Sequence, residues 1–424
     1  MNRLAKVMDG SNVTTYSYDA ASNLATASYP NGQQSTFSYD SLNRLTGLSG
    51  YSYQLGPTGS RQSATEPSGR TLQWSYDGIY RLTNETNSTY GSVSYGLDPV
   101  GNRLSQTSSI TGIPTGNFGY DADDRLSTEQ YDNNGNTTVS GARTFAYDFE
   151  NRLKSMNNGA VTLLYDGDGN RVAKTVGATT TQYLVDDLNP TGYAQVVEEL
   201  TNGAVTRRYT YGLQRISQTQ SLNSAWTTSF YGYDGFGSVR QLTDPTSAVT
   251  DTYDYDAWGN TINQTGSTPN VYRYRGEQYD PDLNLYYVRA RYFNPLTGRF
   301  LTRDQTEGKT IDPRTLHKYL YAGGDPLNAT DPSGRNAITE TLLAIAYVST
   351  VSIVLVWPIL YFAVCLPWEL PHKRPTGGQT VRAGAAGGGP TPQEELCGPE
   401  GADGPVPYFD NGNPTQNPAG TFGE

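Results

Sequence analysis

The sequence has few of the residues that most catalytic and metal sites require. It contains only two cysteines and two histidines in 424 residues. Cys365 lies in an apolar run and Cys397 in a Gly/Pro-rich tail, so they predict no disulfide framework. His317 and His372 are far apart and have no pair of cysteines nearby, which leaves a zinc site or a Ser/His triad incomplete. We therefore expect no metal and no cofactor, and a hydrogen-bonding role for His317.

Positive charge is also scarce. The chain carries 30 Lys+Arg against 41 Asp+Glu, a formal net charge of -11 at pH 7. A chain of this charge repels phosphate backbones, so we expect no nucleic-acid partner. The sequence lacks a Gly-rich phosphate loop of the G-x-x-x-x-G-K-S/T type, and no apolar run follows Met1. We therefore expect no secretory signal at this end.

Glycine, proline and tyrosine, by contrast, are abundant. The chain has 46 Gly, 24 Pro and 33 Tyr, and aromatic residues make up 12% of it. The high content of Gly and Pro argues against a helix-rich enzyme. The aromatic content excludes disorder for most of the length, because disordered chains have few such residues.

A short repeat runs through residues 1–260. Its unit is a Tyr-Asp pair followed by Asn or Gly, then Arg and Leu. The clearest pairs are Tyr18-Asp19, Tyr39-Asp40, Tyr76-Asp77, Tyr120-Asp121, Tyr147-Asp148, Tyr165-Asp166, Tyr233-Asp234 and Tyr255-Asp256. The residues before each pair alternate aromatic with small polar residues, a period typical of strands. Each unit therefore predicts a β-hairpin. Because one hairpin cannot bury its aromatic face alone, we expect the hairpins to stack edge to edge into one long sheet that coils on itself.

A different block follows the repeats. It contains the segments 272–280 (YRYRGEQYD), 285–295 (LYYVRARYFNP), 298–304 (GRFLTRD) and 331–334 (DPSG). Together, the repeats and this block resemble the RHS/YD-repeat proteins, a family that includes bacterial polymorphic toxins, toxin-complex C components and the teneurins. The resemblance identifies the block as the family's repeat-associated core domain. It implies a mainly β fold, in which stacked hairpins form a spiralling β-sheet shell that the core domain closes.

We expect four parts in the chain. Residues 1–265 are the YD-repeat β shell and residues 266–334 the core domain. Residues 337–370 are an apolar helix that spans a membrane at 342–366, since the uncharged run exceeds the roughly 20 residues that a spanning helix needs. The alternative is a hydrophobic cargo helix held within the shell, or a core helix. Residues 371–424 are a disordered Gly/Pro-rich tail. The chain starts in mid-repeat, so we expect it to be the C-terminal portion of a longer protein.

The resemblance also implies a catalytic site. In toxin-type relatives the core domain is similar to an intramolecular aspartyl protease that cuts the chain after an Asp-Pro-x-Gly element. Here the family's essential Asp falls on Asp304 and its Arg on Arg291, with Asp331 or Asp325 as the second carboxylate. Carboxylates held close together share a proton, so one acts as base on water while the other donates to the carbonyl. The predicted cleavage site consists of Gly334, Arg335 and Asn336.

A structural interpretation of the same residues stays open. Relatives that cleave usually have a hydrophobic residue after Asp-Pro-x-Gly, whereas this chain has Arg335. Asp304 and Asp331 also fit the roles of turn and cap residues, with Arg291 pairing with a carboxylate to hold the core domain in place. At most, the chain is an intramolecular aspartyl-type autoprotease.

Two classes of function follow. The first is a bacterial RHS shell protein, secreted or exposed at the cell surface, that encloses or displays its own C-terminal segment as a polymorphic toxin. The second is a cell-surface YD-repeat protein, anchored in the membrane through 342–366, that binds carbohydrate or a cell-surface receptor without catalysis. Exposed Tyr, Asn and Asp side chains would favour sugar contact, whereas tyrosines packed along the inner wall would have a structural role.

Overall fold

The strands of the protein form four antiparallel sheets. The computed structural model describes residues 3–339 except 190, 223, 311, 312 and 336. These residues form sheets of 12, 14, 4 and 2 strands, and in each sheet the spatial order of the strands is their order along the chain. The predicted mainly β fold, built from consecutive hairpins, is confirmed.

The first sheet contains β1 (Lys6–Asp9), β2 (Asn12–Tyr18), β3 (Leu24–Ser28), β4 (Gln34–Tyr39), β5 (Leu45–Leu48), β6 (Tyr51–Leu55), β7 (Arg61–Thr65), β8 (Thr71–Tyr76), β9 (Leu82–Asn87), β10 (Gly91–Leu97), β11 (Arg103–Ser108) and β12 (Gly116–Asn117). The second contains β13 (Glu129–Tyr131), β14 (Thr137–Ser140), β15 (Arg143–Tyr147), β16 (Leu153–Met156), β17 (Val161–Tyr165), β18 (Arg171–Val176), β19 (Thr179–Asp186), β20 (Gln195–Thr201), β21 (Ala204–Tyr211), β22 (Arg215–Leu222), β23 (Ala225–Tyr233), β24 (Val239–Thr243), β25 (Val249–Tyr255) and β26 (Thr261–Thr265). The small sheets are formed by β27 (Gln278–Asp280), β28 (Leu285–Val288), β29 (Arg291–Asn294) and β30 (Arg299–Phe300), and by β31 (Ala329–Thr330) and β32 (Ile338–Thr339).

The repeats form two large sheets where the sequence predicts one. The interruption lies between β12 and β13, where the chain makes only an isolated bridge between Tyr120 and Leu126. It follows Pro114, which has no N–H to donate to a ladder. The strand after this proline, β12, is two residues long.

The repeated aspartates organise the turns of the hairpins. In the turn that begins at Asp77, one carboxylate oxygen accepts the N–H groups of Ile79 (3.0 Å) and Arg81 (2.9 Å). The other accepts Nε of Arg81 at 2.6 Å. Burial acts to raise the pKa of Asp77, but these hydrogen bonds and the charge of Arg81 bring it below its ordinary value. The third residue after the aspartate, here Tyr80, has a φ of 65°, which explains why Asn or Gly usually stands there.

The repeated tyrosines tie each hairpin to the preceding one. The hydroxyl of Tyr147 donates to the carbonyl of Thr137 (2.7 Å), and that of Tyr165 to Leu153 (2.9 Å). The same kind of contact joins Tyr39 to Leu24, Tyr76 to Arg61, Tyr120 to Arg103, Tyr211 to Val196, Tyr233 to Arg215 and Tyr255 to Val239. These hydroxyls are committed to the backbone, which gives the repeated tyrosines a structural role.

Side chains also link neighbouring turns. The residue four positions after the first residue of a turn bonds to the next turn along the chain. The contacts run from Arg44 to the carbonyl of Gly56 (3.3 Å), from Arg81 to that of Asp98 (3.0 Å), from Asn136 to the amide oxygen of Asn151 (2.8 Å) and from Arg152 to the carbonyl of Asp166 (3.4 Å). The turns therefore form a hydrogen-bonded row along one edge of each large sheet.

A buried charge network joins the two large sheets. Asp254 of β25 accepts hydrogen bonds from Arg70 (2.8 Å), which follows β7, and from Arg240 of β24 (2.6 Å). Arg240 also donates to Glu66 at 2.9 Å. Arg240 pairs with Asp234 as well (3.3 Å), so two guanidinium groups face three carboxylates and each buried charge has an opposite partner.

The segment from 272 to 330 packs against both large sheets. Its apolar residues enter three hydrophobic clusters, with Tyr286 among residues of the first sheet, Leu285 beside Phe145, and Tyr272 beside Tyr209. Polar contacts reinforce this packing through the pairs Arg171–Asp280, Arg299–Asn102, Tyr319–Gly135 and Tyr286–Gly259. Residues near the repeat turns therefore supply much of the surface on which this segment lies.

The predicted apolar helix at 342–366, the tail at 371–424 and both cysteines lie outside the described residues. Among the residues that are described, no helix is long and apolar enough to span a membrane. Their helical segments are short 3-10 turns at Asn157–Gly159, Tyr274–Gly276, Pro313–Leu316 and Tyr321–Gly324.

Candidate functional site

Arg291 lies at the centre of the predicted site. It is the first residue of β29 and follows the tight turn that connects β28 to β29. The guanidinium carbon lies 3.6 Å from the ring centroid of Phe300, and only 7% of the side chain is exposed. Burial lowers the pKa of Arg291, and the adjacent carboxylates of Asp304 and Asp331 act in the opposite direction.

The guanidinium of Arg291 brings both predicted carboxylates together. One terminal nitrogen, Nη2, lies 2.9 Å from Oδ2 of Asp304 and 3.2 Å from Oδ2 of Asp331. The other, Nη1, donates to the carbonyl of Lys318 (3.2 Å). The remaining nitrogen, Nε, donates to the carbonyl oxygen of Gly334. All three nitrogens therefore have partners, and two of them, Nε and Nη2, contact the Asp331–Gly334 loop.

The Asp331–Gly334 loop is closed by its own aspartate. Oδ1 of Asp331 accepts hydrogen bonds from the Arg335 N–H (3.0 Å) and from the Ser333 hydroxyl (3.1 Å). The N–H of Gly334 donates to the main-chain carbonyl of Asp331 at 3.2 Å. These contacts place one carboxylate beside the peptide nitrogen that follows Gly334.

Asp304 approaches the site from the other side. Its N–H donates to the Lys318 carbonyl (2.9 Å), and its Oδ1 accepts the N–H of Thr306 (2.8 Å). Oδ2 is left to face Arg291. The side chain is 16% exposed, compared with 3% for Asp331, so Asp304 is the carboxylate nearer to solvent.

Gly334 occupies a position that only glycine fits. Its φ is 70°, in the left-handed region, where a side chain is strained. A Cβ at this position would lie 2.1 Å from the carbonyl oxygen of Val288 and 3.0 Å from the nitrogen of Arg291. The loop backbone therefore lies directly against the turn between β28 and β29.

Other predicted residues lie apart from these contacts or outside the described chain. Asp325 accepts hydrogen bonds from the N–H (3.2 Å) and the side-chain nitrogen (2.9 Å) of Asn328. Asn336 is not among the described residues. Both interpretations of Asp304 and Asp331 are compatible with this geometry, because the same contacts serve a turn and a reaction site.

His317 makes the hydrogen bonds of a neutral imidazole. Its Nε2 lies 2.9 Å from the amide oxygen of Asn102. Nδ1 accepts the N–H groups of Tyr319 (3.2 Å) and Leu320 (3.1 Å), so the proton is on Nε2. Burial lowers the pKa of His317 to about 3. Across the described part of the chain, no three His, Cys, Asp or Glu residues are arranged to hold a metal ion.

Arg289 is a neighbour of the site that the sequence interpretation missed. It stands two positions before Arg291 in the same Arg-Ala-Arg motif. Its Nη1 contacts the carbonyl of Pro332 and both carboxylate oxygens of Glu277, the latter at 3.1 Å each. Arg289 lies in the turn between β28 and β29, where the alternation of a strand does not apply, so the sequence pattern gave no signal for its contacts.

Comparisons with known proteins match this architecture. The family model described as RHS Repeat matches residues 2–34. The tRNA3(Ser)-specific nuclease WapA of Bacillus spizizenii is 32% identical over 360 residues, which cover 79% of this chain and 15% of that protein. The tRNA nuclease WapA of Bacillus subtilis is 31% identical over the same shares. This chain thus spans about 15% of the length of these relatives.

A solved structure shares the fold. The crystal structure of TcdB2-TccC3-Cdc42 contains a chain that superposes with a TM-score of 0.63 and 18% sequence identity. The match covers 80% of this chain and 20% of that one. At this identity the similarity concerns the fold of the stacked hairpins and the segment that packs on them.

Proposed function

We propose that this chain, which is an RHS/YD-repeat protein, is the shell and core domain of a bacterial polymorphic toxin and cuts itself after Gly334. Residues 1–265 act as the shell and residues 266–334 as the core domain that processes the chain. The partner is the protein's own C-terminal segment, which the shell encloses or displays. A secreted or cell-surface location fits this role.

The relatives support the toxin class without naming a target for this chain. The tRNA nuclease activity is named for WapA, and this chain corresponds to a small part of that protein. A shell that carries a cargo needs no catalytic set other than the one that frees the cargo. We therefore place the chemistry of this chain in the core domain.

One observation carries the proposal. The guanidinium of Arg291 contacts Asp304, Asp331 and the carbonyl oxygen of Gly334 at the same time. A hydrogen bond from a buried cation draws electron density from this carbonyl and stabilises the negative charge that develops on its oxygen during attack. Asp331 lies next to the bond that this attack would break, and Asp304 contacts the same guanidinium nitrogen as Asp331.

The proposed reaction is hydrolysis of the bond between Gly334 and Arg335. Asp304, the more exposed carboxylate, takes a proton from a water whose oxygen attacks the carbonyl carbon of Gly334. The carbonyl π electrons move to the oxygen, which Arg291 stabilises. When the intermediate collapses, the C–N bond breaks and the nitrogen of Arg335 receives the proton that Asp304 took from the water, while Asp331 continues to accept the N–H of that nitrogen. The products are a carboxylate at Gly334 and a new amino terminus at Arg335.

The position of Asp331 fits the role of a group that orients the leaving nitrogen. Its Oδ1 accepts the N–H of Arg335, the leaving atom of the proposed reaction, at 3.0 Å. Its Oδ2 accepts a hydrogen bond from Arg291, so the carboxylate links the guanidinium to the leaving group. The charged side chain of Arg335 is exposed, so it does not occupy the carboxylate pair.

The test is the intact mass of the full chain carrying a tag at each end. We expect a fragment that ends at Gly334 in the parent and a full-length chain in Asp304→Asn, Asp331→Asn and Arg291→Ala. Asp123→Asn is the matched control, because Asp123 is a surface carboxylate with 72% of its side chain exposed. It should be cut like the parent.

Three outcomes would contradict the proposal. A parent that stays intact would contradict self-cleavage. If that intact parent also fractionates with membranes, the result would favour the anchored, non-catalytic surface protein. A fragment that persists in all three site variants would point to a contaminating protease. A fragment ending at Arg335 would move the scissile bond one residue downstream.

A further inference from the structure

Three consecutive residues of one turn hold three consecutive carbonyls of the Asp331–Gly334 loop. Arg289 donates from its side chain to the carbonyl of Pro332. The N–H of Ala290 donates to the carbonyl of Ser333 at 3.2 Å. Arg291 donates from Nε to the carbonyl of Gly334. The loop is therefore held residue by residue in a fixed register.

Arg289 is itself fixed on three sides. Its Nη1 lies 3.1 Å from both carboxylate oxygens of Glu277, which has 14% of its side chain exposed. Its Nε donates to the carbonyl of Ala194 at 3.2 Å. The guanidinium carbon also lies 5.4 Å from the ring centroid of Tyr193. These contacts come from the connection between β19 and β20 and from the residue before β27, so Arg289 has little freedom to leave Pro332.

The backbone of Arg289 is in an unusual conformation. Its φ is 50°, which costs about 1–2 kcal/mol for a residue with a side chain. A glycine or asparagine would adopt this turn more easily. The arginine is thus retained at a position where its backbone is unfavourable, and its side-chain contacts are the evident compensation.

We propose that Arg289 and Glu277 form a clamp that positions the scissile segment, an inference that rests on the self-cleavage proposed above. Glu277 orients the guanidinium of Arg289, and Arg289 holds Pro332. With Ser333 fixed by Ala290, the carbonyl of Gly334 stays on Arg291 while Asp304 and Asp331 act. Arg289 touches neither the carbonyl nor the leaving nitrogen of the scissile bond, so it is a positioning residue.

Cleavage kinetics test the clamp in the tagged full-length chain. We expect Arg289→Gln and Glu277→Gln to slow self-cleavage by about 10- to 100-fold, since a misplacement of about 1 Å costs on the order of 100-fold. Because the reacting groups are unchanged, the pH profile of the remaining cleavage should keep its shape. Arg289→Lys should recover part of the rate, because an ammonium can still bond to Pro332.

Hydrogen exchange separates the clamp from the chemistry. In the uncut background of Asp304→Asn, adding Arg289→Gln should speed exchange of the amides of 331–335 by at least about tenfold, as a locally loosened loop does. The matched control is Arg143→Gln, which removes a similar hydrogen bond, from Arg143 to the carbonyl of Leu283 (2.6 Å). This control should leave exchange in 331–335 unchanged.

The outcomes distinguish the two proposals. An uncut parent whose loop loosens in Arg289→Gln would overturn self-cleavage and leave the clamp in place. A parent that cuts, with unchanged cleavage and unchanged exchange in Arg289→Gln, would overturn the clamp alone. If Arg289→Gln fails to fold in a thermal scan, Arg289→Lys and Glu277→Gln decide by the same two measurements.

Discussion

The Nε of Arg291 donates a hydrogen bond to the carbonyl oxygen of Gly334, although 43 residues separate the two along the chain. The contact requires glycine, because a Cβ at 334 would lie 2.1 Å from the carbonyl oxygen of Val288. Because residue 334 has no side chain, Arg291 can approach its main-chain carbonyl directly. Both interpretations of the site depend on this approach, whether the loop is cut or only held.

The variant Gly334→Ala should distinguish the effect of close packing against Val288 from the backbone strain of a left-handed φ. A left-handed φ costs alanine about 1–2 kcal/mol, and the overlap with Val288 adds to this cost. We expect faster exchange of the amides of 331–335 and loss of any self-cleavage. Gly141→Ala is the control, because Gly141 has a φ of 60° but no atom within 4 Å of the point that an alanine Cβ would occupy. Equal effects of the two variants on urea-induced unfolding would contradict the role of close packing.

Tyr147→Phe tests the link between successive hairpins. It removes the hydrogen bond to Thr137 and leaves a buried carbonyl without this donor. We expect a loss of about 1–3 kcal/mol in the free energy of unfolding, measured by urea titration. Tyr80→Phe is the matched control, since Tyr80 is 44% exposed and lies at a turn tip. A loss in Tyr147→Phe no larger than in the control would show that the hydroxyl contributes little.

Asp280 should be a stability residue. Its side chain is fully buried and contacts Arg171, which is 1% exposed, and Nζ of Lys174 at 3.0 Å. Asp280→Ala would leave two cations without this partner, so we expect a loss of about 3–5 kcal/mol in urea unfolding. The double variant Arg171→Met/Asp280→Leu should recover part of that loss, because it removes one of the stranded charges. A double variant worse than Asp280→Ala would contradict this account.

His317 should make stability depend on pH. Burial lowers its pKa from 6.5 to about 3, so between these values the unfolded chain binds a proton that the folded chain does not. Its contribution is complete above pH 6.5 and is lost as pH falls toward 3, by up to about 1.4 kcal/mol per unit. Unfolding free energies of parent and His317→Gln between pH 7 and pH 4 should therefore converge as the pH falls.

The comparison with the variant is needed because other groups oppose this trend. Burial raises the pKa of Asp256 to about 6, so the folded chain binds more protons than the unfolded one between about pH 4 and 6. That contribution is common to the parent and to His317→Gln. A difference between the two that does not change with pH would show that His317 binds its proton over the same pH range in the folded and the unfolded chain.

The repeats could be predicted from the sequence because their contacts are local. Asp77 is bonded by residues two and four positions later, and such spacing is visible in the letters. The interruption between β12 and β13 was missed, since it depends on strand pairing that no short pattern defines. The charge network of Arg70, Arg240 and Asp254 was also missed, because its members are 184 residues apart at the widest.

The site was predicted in part for a similar reason. Arg291, Asp304 and Asp331 were assigned through a resemblance, and the contact of Arg291 with Gly334 arises only when the turn after β28 meets the loop after β31. Glu277 and Arg289 carry no individual signature in the sequence. Their pairing is a property of how β27 to β29 fold together.

Each repeated tyrosine bonds to the preceding hairpin, so the row of hairpins can gain or lose residues only in whole hairpins. Deleting residues 148–165 would join Tyr147 directly to Asp166, which restores a Tyr-Asp turn and keeps the tyrosine on Thr137. A deletion of half that length would leave a tyrosine hydroxyl or its carbonyl acceptor without the other. Recombination between repeats can therefore lengthen or shorten the array by whole hairpins, so the number of hairpins is open to evolution without any change in how the turns are built.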